Sequence, residues 1–262
     1  MRRLTHPLWA SLITVAAMFV SVLGSGLLTM ALLGRSTAFQ IVYPIATTVV
    51  ALTLVALYRK YATREPWAEV GLRWNRRAFP QAVAGVLVGM GAVVASSAAA
   101  VALGAAEWTP FLGGEDLALL PLILAIPVLG QAFPEEVLFR GHLFGTLSRS
   151  LSPAAVLLVT SVVFGALHII SNSAAEGTGE KLLYVLQAVA LGLACGASRA
   201  RTGAVWMSAG VHAGLHFAVR LFPTREIHYD VQLLLLIAAM TLGAALVLHW
   251  PRRRAPAPAP SA

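Results

Sequence analysis

The sequence has few charged residues: only 11% of its 262 residues are Asp, Glu, Lys or Arg, less than half of the roughly 25% usual for soluble domains. Apolar residues make up 58% of the chain, and the mean hydropathy is +0.77. This composition excludes a water-soluble globular domain and a disordered chain. The sequence also has a single cysteine, Cys195, which lies in an apolar run without a partner for a disulfide and is interpreted as a packing residue.

Long apolar runs fill most of the chain. A helix needs about 20 such residues to cross the hydrocarbon core of a bilayer. Candidate runs lie at residues 8–33, 38–58, 80–105, 117–148, 153–171, 182–198, 203–221 and 231–250. The sequence therefore predicts an all-α, polytopic membrane protein with about eight transmembrane helices. The first run is too long for a signal-peptide core and is interpreted as an uncleaved span.

Basic residues are concentrated in alternate loops. With the N-terminus placed inside, fourteen Lys and Arg residues fall on the cytoplasmic side and four on the other, while Arg140 lies within the fourth run. The positive-inside rule then predicts cytoplasmic termini and a multi-pass protein of the plasma (inner) membrane. The basic loop 59–79 contains Trp67 and Trp74, which favours an interfacial segment on anionic lipid over a nucleic-acid patch.

Ionisable side chains inside apolar runs are the most informative positions, because a charge at the bilayer centre costs about 2.5–3.5 kcal/mol on insertion scales. They are Glu135, Glu136 and Arg140 in the fourth run, His168 in the fifth, and His212 and His216 in the seventh. With a rise of about 1.5 Å per residue, Glu135 and the three histidines fall at similar depths just past the membrane centre. A shared depth favours one functional site over scattered packing residues.

Spacing assigns different roles to the two carboxylates. Glu136 and Arg140 are four residues apart on one helix face, which predicts an ion pair that orients Glu136. Glu135 points about 100° away and is the better candidate for a general base. Pro134 is expected to kink or restart the helix, which would place both carboxylates in a first turn with free backbone N–H groups. His142 is two turns from Glu135 and is interpreted as structural or peripheral.

His212 and His216 also lie four residues apart on one helix face. This spacing can hold a metal ion, or it can aim two hydrogen-bond donors at one oxygen atom. Two core histidines without a catalytic role are an equally good interpretation of the pair alone. The histidine and carboxylates at the same depth on two other helices favour the functional interpretation.

Three motifs on successive helices carry a family resemblance: E-E-x-x-x-R at 135–140, F-x-x-x-H at 164–168 and H-x-x-x-H at 212–216. Together they resemble the CPBP family of intramembrane proteases, also called CAAX prenyl protease 2-like, Rce1-like or Abi proteins, over residues 115–220. The resemblance implies a membrane endopeptidase of the metallo- or glutamate type. His216 departs from the family pattern, in which this position is usually Asn.

The resemblance also implies site roles. Glu135 and His168 would activate the water that attacks the scissile carbonyl, and His212 and His216 would stabilise the oxyanion. Zinc is a candidate cofactor, with Glu135, His168, His212 and His216 as candidate ligands. The expected substrate is a membrane-associated protein or peptide, with no nucleic-acid partner. Because polar structure in lipid must line a cavity, we expect a cytoplasm-facing cavity between the fourth, fifth and seventh helices.

The chain is accordingly divided into helices 1–3 at 1–114, with the basic loop at 59–79, a catalytic segment at 115–221, a last transmembrane helix at 222–250 and a disordered basic and Pro/Ala-rich tail at 251–262. Two other functions stay open. Intramembrane carboxylates and histidines also serve as proton relays in transporters. A non-proteolytic scaffold or bacteriocin-immunity protein would need the Glu136–Arg140 pair for folding and not Glu135 for chemistry.

Overall fold

The computed structural model describes residues 6–110 and 114–250, without the side chains of 114–116, so the predicted tail at 251–262 lies outside the described residues. Within these ranges the chain forms a bundle of eight principal helices that alternate in direction. In chain order they are α1 (Pro7–Leu33), α2 (Thr37–Thr63), α3 (Ala78–Ala102), α4 (Leu117–Leu147), α5 (Pro153–Ile169), α6 (Thr178–Thr202), α7 (Trp206–Leu221) and α8 (Tyr229–His249). The prediction of an all-α polytopic membrane protein is confirmed.

Two of the predicted spans are shorter than expected. Among the described residues, six helices are long and apolar enough to cross a membrane, namely α1, α2, α3, α4, α6 and α8. Helix α5 is a shorter apolar helix, and α7 has 16 residues, fewer than the roughly 20 of a full span. Helix α6 ends at Gly203, whose left-handed backbone (φ +69°) closes the helix, so α7 begins at Trp206 and not at residue 203.

The two ends of the bundle differ in structure. At one end, strand β1 (Ala106–Trp108) pairs antiparallel with β2 (Thr224–Glu226). This end, with the α5–α6 loop at 170–177, is called the sheet end. The other end consists of residues 58–77, 148–152 and 199–205 and is called the arginine-rich end. A short 3-10 helix, Trp67–Val70, packs there.

Helices α3 and α7 pack at very close range through two pairs of glycines spaced four residues apart. Gly85 and Gly89 of α3 face Gly210 and Gly214 of α7, and a methyl group at any of the four would overlap backbone atoms of the opposite helix. Small residues at this spacing let helix backbones approach each other in lipid, where packing rather than hydrophobic burial drives association. This contact fixes α7, and therefore His212 and His216, in the bundle.

The first prediction concerns this contact. Gly89→Ala should lower the unfolding temperature of the detergent-solubilised protein strongly, because its methyl group would collide with the carbonyl of Val211. Gly91→Ala is the matched control on the same helix, since among the described residues nothing lies within 4 Å of the position of its added Cβ. Equal unfolding temperatures for the two variants would contradict the close α3–α7 packing.

A buried ion-pair network closes the arginine-rich end. Arg59 is only 1% exposed and contacts Glu65 at 3.0 Å and Glu69 at 2.8 Å. Arg149 Nε donates to Glu69 Oε2 at 3.2 Å, and His142 lies 3.5 Å from Arg59. These contacts join α2, the 3-10 helix and the end of α4.

The interpretation of loop 59–79 as an interfacial segment on lipid is therefore wrong for Arg59. Its guanidinium is taken up by carboxylates inside the protein, because charge burial requires a partner. Glu65 and Glu69 follow Arg59 closely in the sequence, but spacing alone does not show that the loop folds back so that they pair with it. Trp74 remains 73% exposed, in keeping with an interfacial position.

The second prediction is a pH dependence at Glu69, which lies outside the spanning helices. Burial alone would raise its pKa, but hydrogen bonds from Arg149 and Arg59 outweigh this effect and hold the pKa below the ordinary 4.5. A carboxyl group with a lowered folded-state pKa stabilises the fold above its unfolded pKa and loses this contribution as the pH falls through the folded value. On acidification below about pH 4.5, the wild type should therefore lose more thermal stability than Glu69→Gln; parallel losses would contradict the prediction.

Candidate active site

Helix α4 carries two carboxylates between two π-helical segments. The segments Val128–Ala132 and Val137–Leu143 flank Glu135 and Glu136. Proline lacks a backbone N–H and disturbs the regular helical ladder, and π-helical turns accommodate such disturbances and often occur at functional sites. The Thr48 hydroxyl of α2 donates to the carbonyl of Leu129, which satisfies one backbone oxygen of this irregular stretch.

The expectation that Pro134 restarts the helix is wrong. Ala132 (φ −58°, ψ −52°) and Phe133 (φ −69°, ψ −49°) are both helical, so the helix continues through the proline. Glu135 and Glu136 consequently lie within a continuous span and not at a new helix N-terminus. The change of helical pitch, and not a chain break, sets the directions of their side chains.

Glu136 lies at the centre of a buried polar cluster. Its side chain and that of Arg140 are both 0% exposed, and Arg140 Nη1 donates to Glu136 Oε1 at 3.0 Å. His212 Nδ1 lies 3.1 Å from the same oxygen, so it donates, because a carboxylate only accepts. Arg140 Nη2 donates to the carbonyl of Gly192 at 2.8 Å. The predicted orienting pair is present, and it extends to α6 and α7.

Glu135 occupies a different position from its neighbour. It is 4% exposed, and its Oε2 atom lies 3.8 Å from Nε2 of His212. Oε2 is buried, and no described group forms a hydrogen bond with it. Because Glu136 fixes the other nitrogen of the same imidazole, the two carboxylates contact opposite edges of His212. Glu135 thus has an oxygen without a hydrogen-bond partner beside an oriented histidine.

His168 lies on the short 3-10 turn Leu167–Ile169 that ends α5. Its Nδ1–H donates to the carbonyl of Phe164 at 3.1 Å, which leaves the lone pair on Nε2. The Phe164 ring lies 5.0 Å from the ring of His168, 5.9 Å from that of His212 and 4.6 Å from the guanidinium of Arg140. Phe164 therefore packs between the side chains of His168, His212 and Arg140.

His216 stacks on His212, with ring centroids 5.2 Å apart and an interplanar angle of 15°. The Nδ1 atom of His216 lies 3.5 Å from Nη1 of Arg220. A guanidinium only donates hydrogen bonds, so the ring proton of neutral His216 belongs on Nε2. Within the described chain this Nε2 atom is buried and has no hydrogen-bond partner, which leaves it as a donor aimed at no protein group.

Two cavities contain these side chains. The larger, about 680 Å³, is lined by Glu135, Phe139, His168 and His216 and extends to residues 170–172. The smaller, about 260 Å³, is lined by His168, His212 and His216 and extends past β2 to Tyr229. Gln131 of α4 and Tyr184 of α6 line both cavities.

The direction of the larger cavity differs from the prediction. Both cavities reach the sheet end, and among the described residues neither is lined by any residue of the arginine-rich end. The half of α4 that follows Glu135 toward the arginine-rich end is closely packed, with Arg140, His142 and Leu143 buried. The prediction of a cavity that opens to the arginine-rich, predicted cytoplasmic side is therefore wrong. The ion-pair network and this packed half of α4 fill that side.

The remaining sequence candidates divide clearly. His142 packs edge-on against Tyr58, with centroids 5.3 Å apart, and lies away from both cavities, as expected. Sequence reasoning missed the Glu136–His212 bond, and it missed Gln131 and Tyr184, which line both cavities together with His168 and His216. Gln131 is one turn before Glu135, so helical spacing would have identified it, whereas nothing in the sequence marks Tyr184.

The side-chain positions of the candidate ligands bear on whether they could bind zinc. In residues 6–110 and 114–250, no three His, Cys, Asp or Glu side chains are grouped so that they could hold a metal ion. The Nδ1 atoms of His168 and His212 are engaged by Phe164 and Glu136, so only their Nε2 atoms remain as possible ligands. The present arrangement does not fit a zinc site, so no step of the chemistry is derived through a metal.

Comparison with known proteins gives one family. Residues 117–218 match the family described as "Type II CAAX prenyl endopeptidase Rce1-like". The match covers α4, α5, α6 and most of α7, which are the helices that carry the candidate site. No curated protein matches the chain.

The third prediction concerns the buried pair. Arg140→Met should destabilise the protein by about 3–5 kcal/mol, because it leaves the Glu136 carboxylate buried without its cation. The measurement is unfolding of the purified protein in detergent. The control is Arg225→Met, which removes an exposed arginine paired with Glu107 and should change stability little. Similar losses from the two substitutions would contradict the central role of the buried pair.

Proposed function

We propose that the chain is an intramembrane endopeptidase of the Rce1-like kind, whose family model matches residues 117–218, and that Glu135 and His168 activate water. Its substrate is a membrane-associated protein or peptide. The observation that carries the proposal is that Glu135, which lies next to a histidine oriented by Glu136, lines a cavity within an apolar bundle.

The proposed reaction begins with water in the larger cavity. Glu135 takes a proton from the water while the water oxygen attacks the scissile carbonyl carbon. The carbonyl π bond breaks, and a tetrahedral oxyanion forms. Glu135 then returns the proton to the leaving nitrogen as the C–N bond breaks. His168 lines the same cavity, and its Nε2 lone pair accepts the second hydrogen of the water in a hydrogen bond and orients the attack. General-base catalysis of this kind contributes about 10²- to 10⁴-fold.

The two remaining histidines have unequal roles in stabilising the oxyanion. Neutral His216 carries its proton on Nε2 and can donate directly. His212 donates from Nδ1 to Glu136, so the Nε2 atom of its neutral ring is an acceptor and does not donate to the oxyanion. The histidine at the usual Asn position is therefore the oxyanion donor, worth about 10²- to 10³-fold.

The fourth prediction tests the general base. Glu135→Gln should reduce cleavage by at least about 10²-fold and leave the protein folded, because the amide has nearly the same shape as the carboxyl. Glu107→Gln, at the exposed sheet-end pair, should cleave like the wild type. Two measurements check this. The first compares, between cells that express each variant, the new N-termini found in membrane and secreted proteins. The second measures cleavage of a panel of membrane-tethered and prenylated peptides by each variant in liposomes.

The results separate the three candidate functions. Glu135-dependent termini, which are N-termini that appear with the wild type and not with Glu135→Gln, support the protease. Zinc content measured on the same purified samples tests the cofactor expectation independently. If no terminus and no peptide depends on Glu135, the protease proposal fails. Proton flux that is lost in Glu135→Gln would then indicate a transporter, and an unchanged cellular phenotype would indicate a scaffold.

The fifth prediction tests the donor at position 216. His216→Ala should reduce kcat by about 10²- to 10³-fold with a smaller change in KM, because the donor acts on charge that develops in the transition state. His216→Asn should retain more activity, since its amide N–H₂ can replace the Nε2–H donor. Equal losses in the two variants would show that His216 acts by packing against His212 and not by donating a hydrogen bond.

A further inference from the structure

The charges on the two ends of the bundle are strongly unequal. Of the described basic residues, nine belong to the arginine-rich end and four to the sheet end: Arg59, Lys60, Arg64, Arg73, Arg76, Arg77, Arg149, Arg199 and Arg201 against Arg35, Lys181, Arg220 and Arg225. Among the described acidic side chains, the reverse holds, with Glu65 and Glu69 against Glu107, Glu176, Glu180, Glu226 and Asp230. Positive-inside bias places the arginine-rich end in the cytoplasm.

The path from Glu135 to the arginine-rich end is closed. Residues 137–143 of α4 are all buried. Beyond them, Thr146 donates to Glu65 at 2.9 Å, and Arg199 donates to the backbone carbonyls of Arg140 at 2.9 Å and Glu69 at 2.6 Å. A peptide that came from this side would have to break several buried hydrogen bonds to charged groups.

The path from Glu135 to the sheet end is open. The larger cavity runs from Glu135 past His168 to Ser171 and Asn172 in the α5–α6 loop, and Asn172 is exposed. One wall of the cavity consists of four apolar residues of α1, namely Met18, Phe19, Val22 and Leu23. Leu23 is itself 58% exposed. The cavity thus combines a polar mouth at the sheet end with an apolar wall next to lipid.

From these observations we infer that the site takes its substrate from the extracytoplasmic side of the membrane. The substrate class is an extracytoplasmic peptide segment next to a transmembrane helix or lipid anchor, and not a lipid-modified C-terminus in the cytoplasm. The apolar α1 wall accommodates the membrane-anchored part, and the polar mouth admits the segment to be cut. This inference rests on the proposed protease function for its chemistry, but its sidedness rests only on charge and cavity direction.

Single-cysteine labelling tests the sidedness without any activity assay. The only cysteine in the sequence, Cys195, is fully buried, so the wild type should not react with a membrane-impermeant maleimide. Asn172→Cys places a thiol at the cavity mouth, and Asn75→Cys is its matched control, an exposed asparagine at the arginine-rich end. Each variant is labelled in spheroplasts before and after the membrane is permeabilised.

We expect Asn172→Cys to react in intact spheroplasts and Asn75→Cys to react only after permeabilisation. If Asn172→Cys is not labelled in intact spheroplasts, or Asn75→Cys is, the sidedness inference is overturned. In the second arm, termini that depend on Glu135 should map to extracytoplasmic segments of membrane or secreted proteins, and termini confined to cytoplasmic segments would overturn the substrate class. Labelling as expected without any Glu135-dependent terminus would leave the orientation intact and reject the protease function.

Discussion

The Glu136 carboxylate, buried in the middle of an apolar bundle, is the interaction on which the rest of the site depends. Removing such a group from water costs several kcal/mol unless cations and hydrogen-bond donors replace the lost hydration. Arg140 and His212 both supply donors to one oxygen of this carboxylate. Because Arg140 also bonds the carbonyl of Gly192, satisfying one charge ties α4 to α6 and α7.

That requirement determines the orientation of the reactive groups. With its Nδ1–H committed to Glu136, His212 presents its other nitrogen toward Glu135 and its ring face to His216. The helix that carries both histidines is held by glycine contacts with α3, where a single methyl group would force the backbones apart. Gly192 serves a similar purpose on α6, because a Cβ there would lie 3.0 Å from Ser161 and 3.2 Å from the Arg140 guanidinium. Close packing and charge satisfaction therefore act together to hold His212 between the two carboxylates.

Much of this architecture follows from the sequence, because lipid imposes strict rules. Apolar runs predict the helices, and the cost of intramembrane charge identifies Glu135, Glu136, Arg140 and the histidines as a group. Two features were beyond such reasoning. Contacts between helices, such as Glu136 with His212, depend on rotations about helix axes that Pro134 and the π-helical segments change. The direction of the cavity depends on which end is packed shut, and Arg59 reads as a loop charge until its burial is seen.

The closest test of the account is a double-mutant cycle between Glu135 and His168, measured as single-turnover cleavage of a substrate segment identified from Glu135-dependent termini. If both groups act on one water molecule, their effects are strongly non-additive. The account predicts that Glu135→Gln with His168→Ala is about as slow as the slower single variant. Rate losses that multiply in the double variant, with all four proteins folded, would show that the two residues act independently and would contradict a shared water.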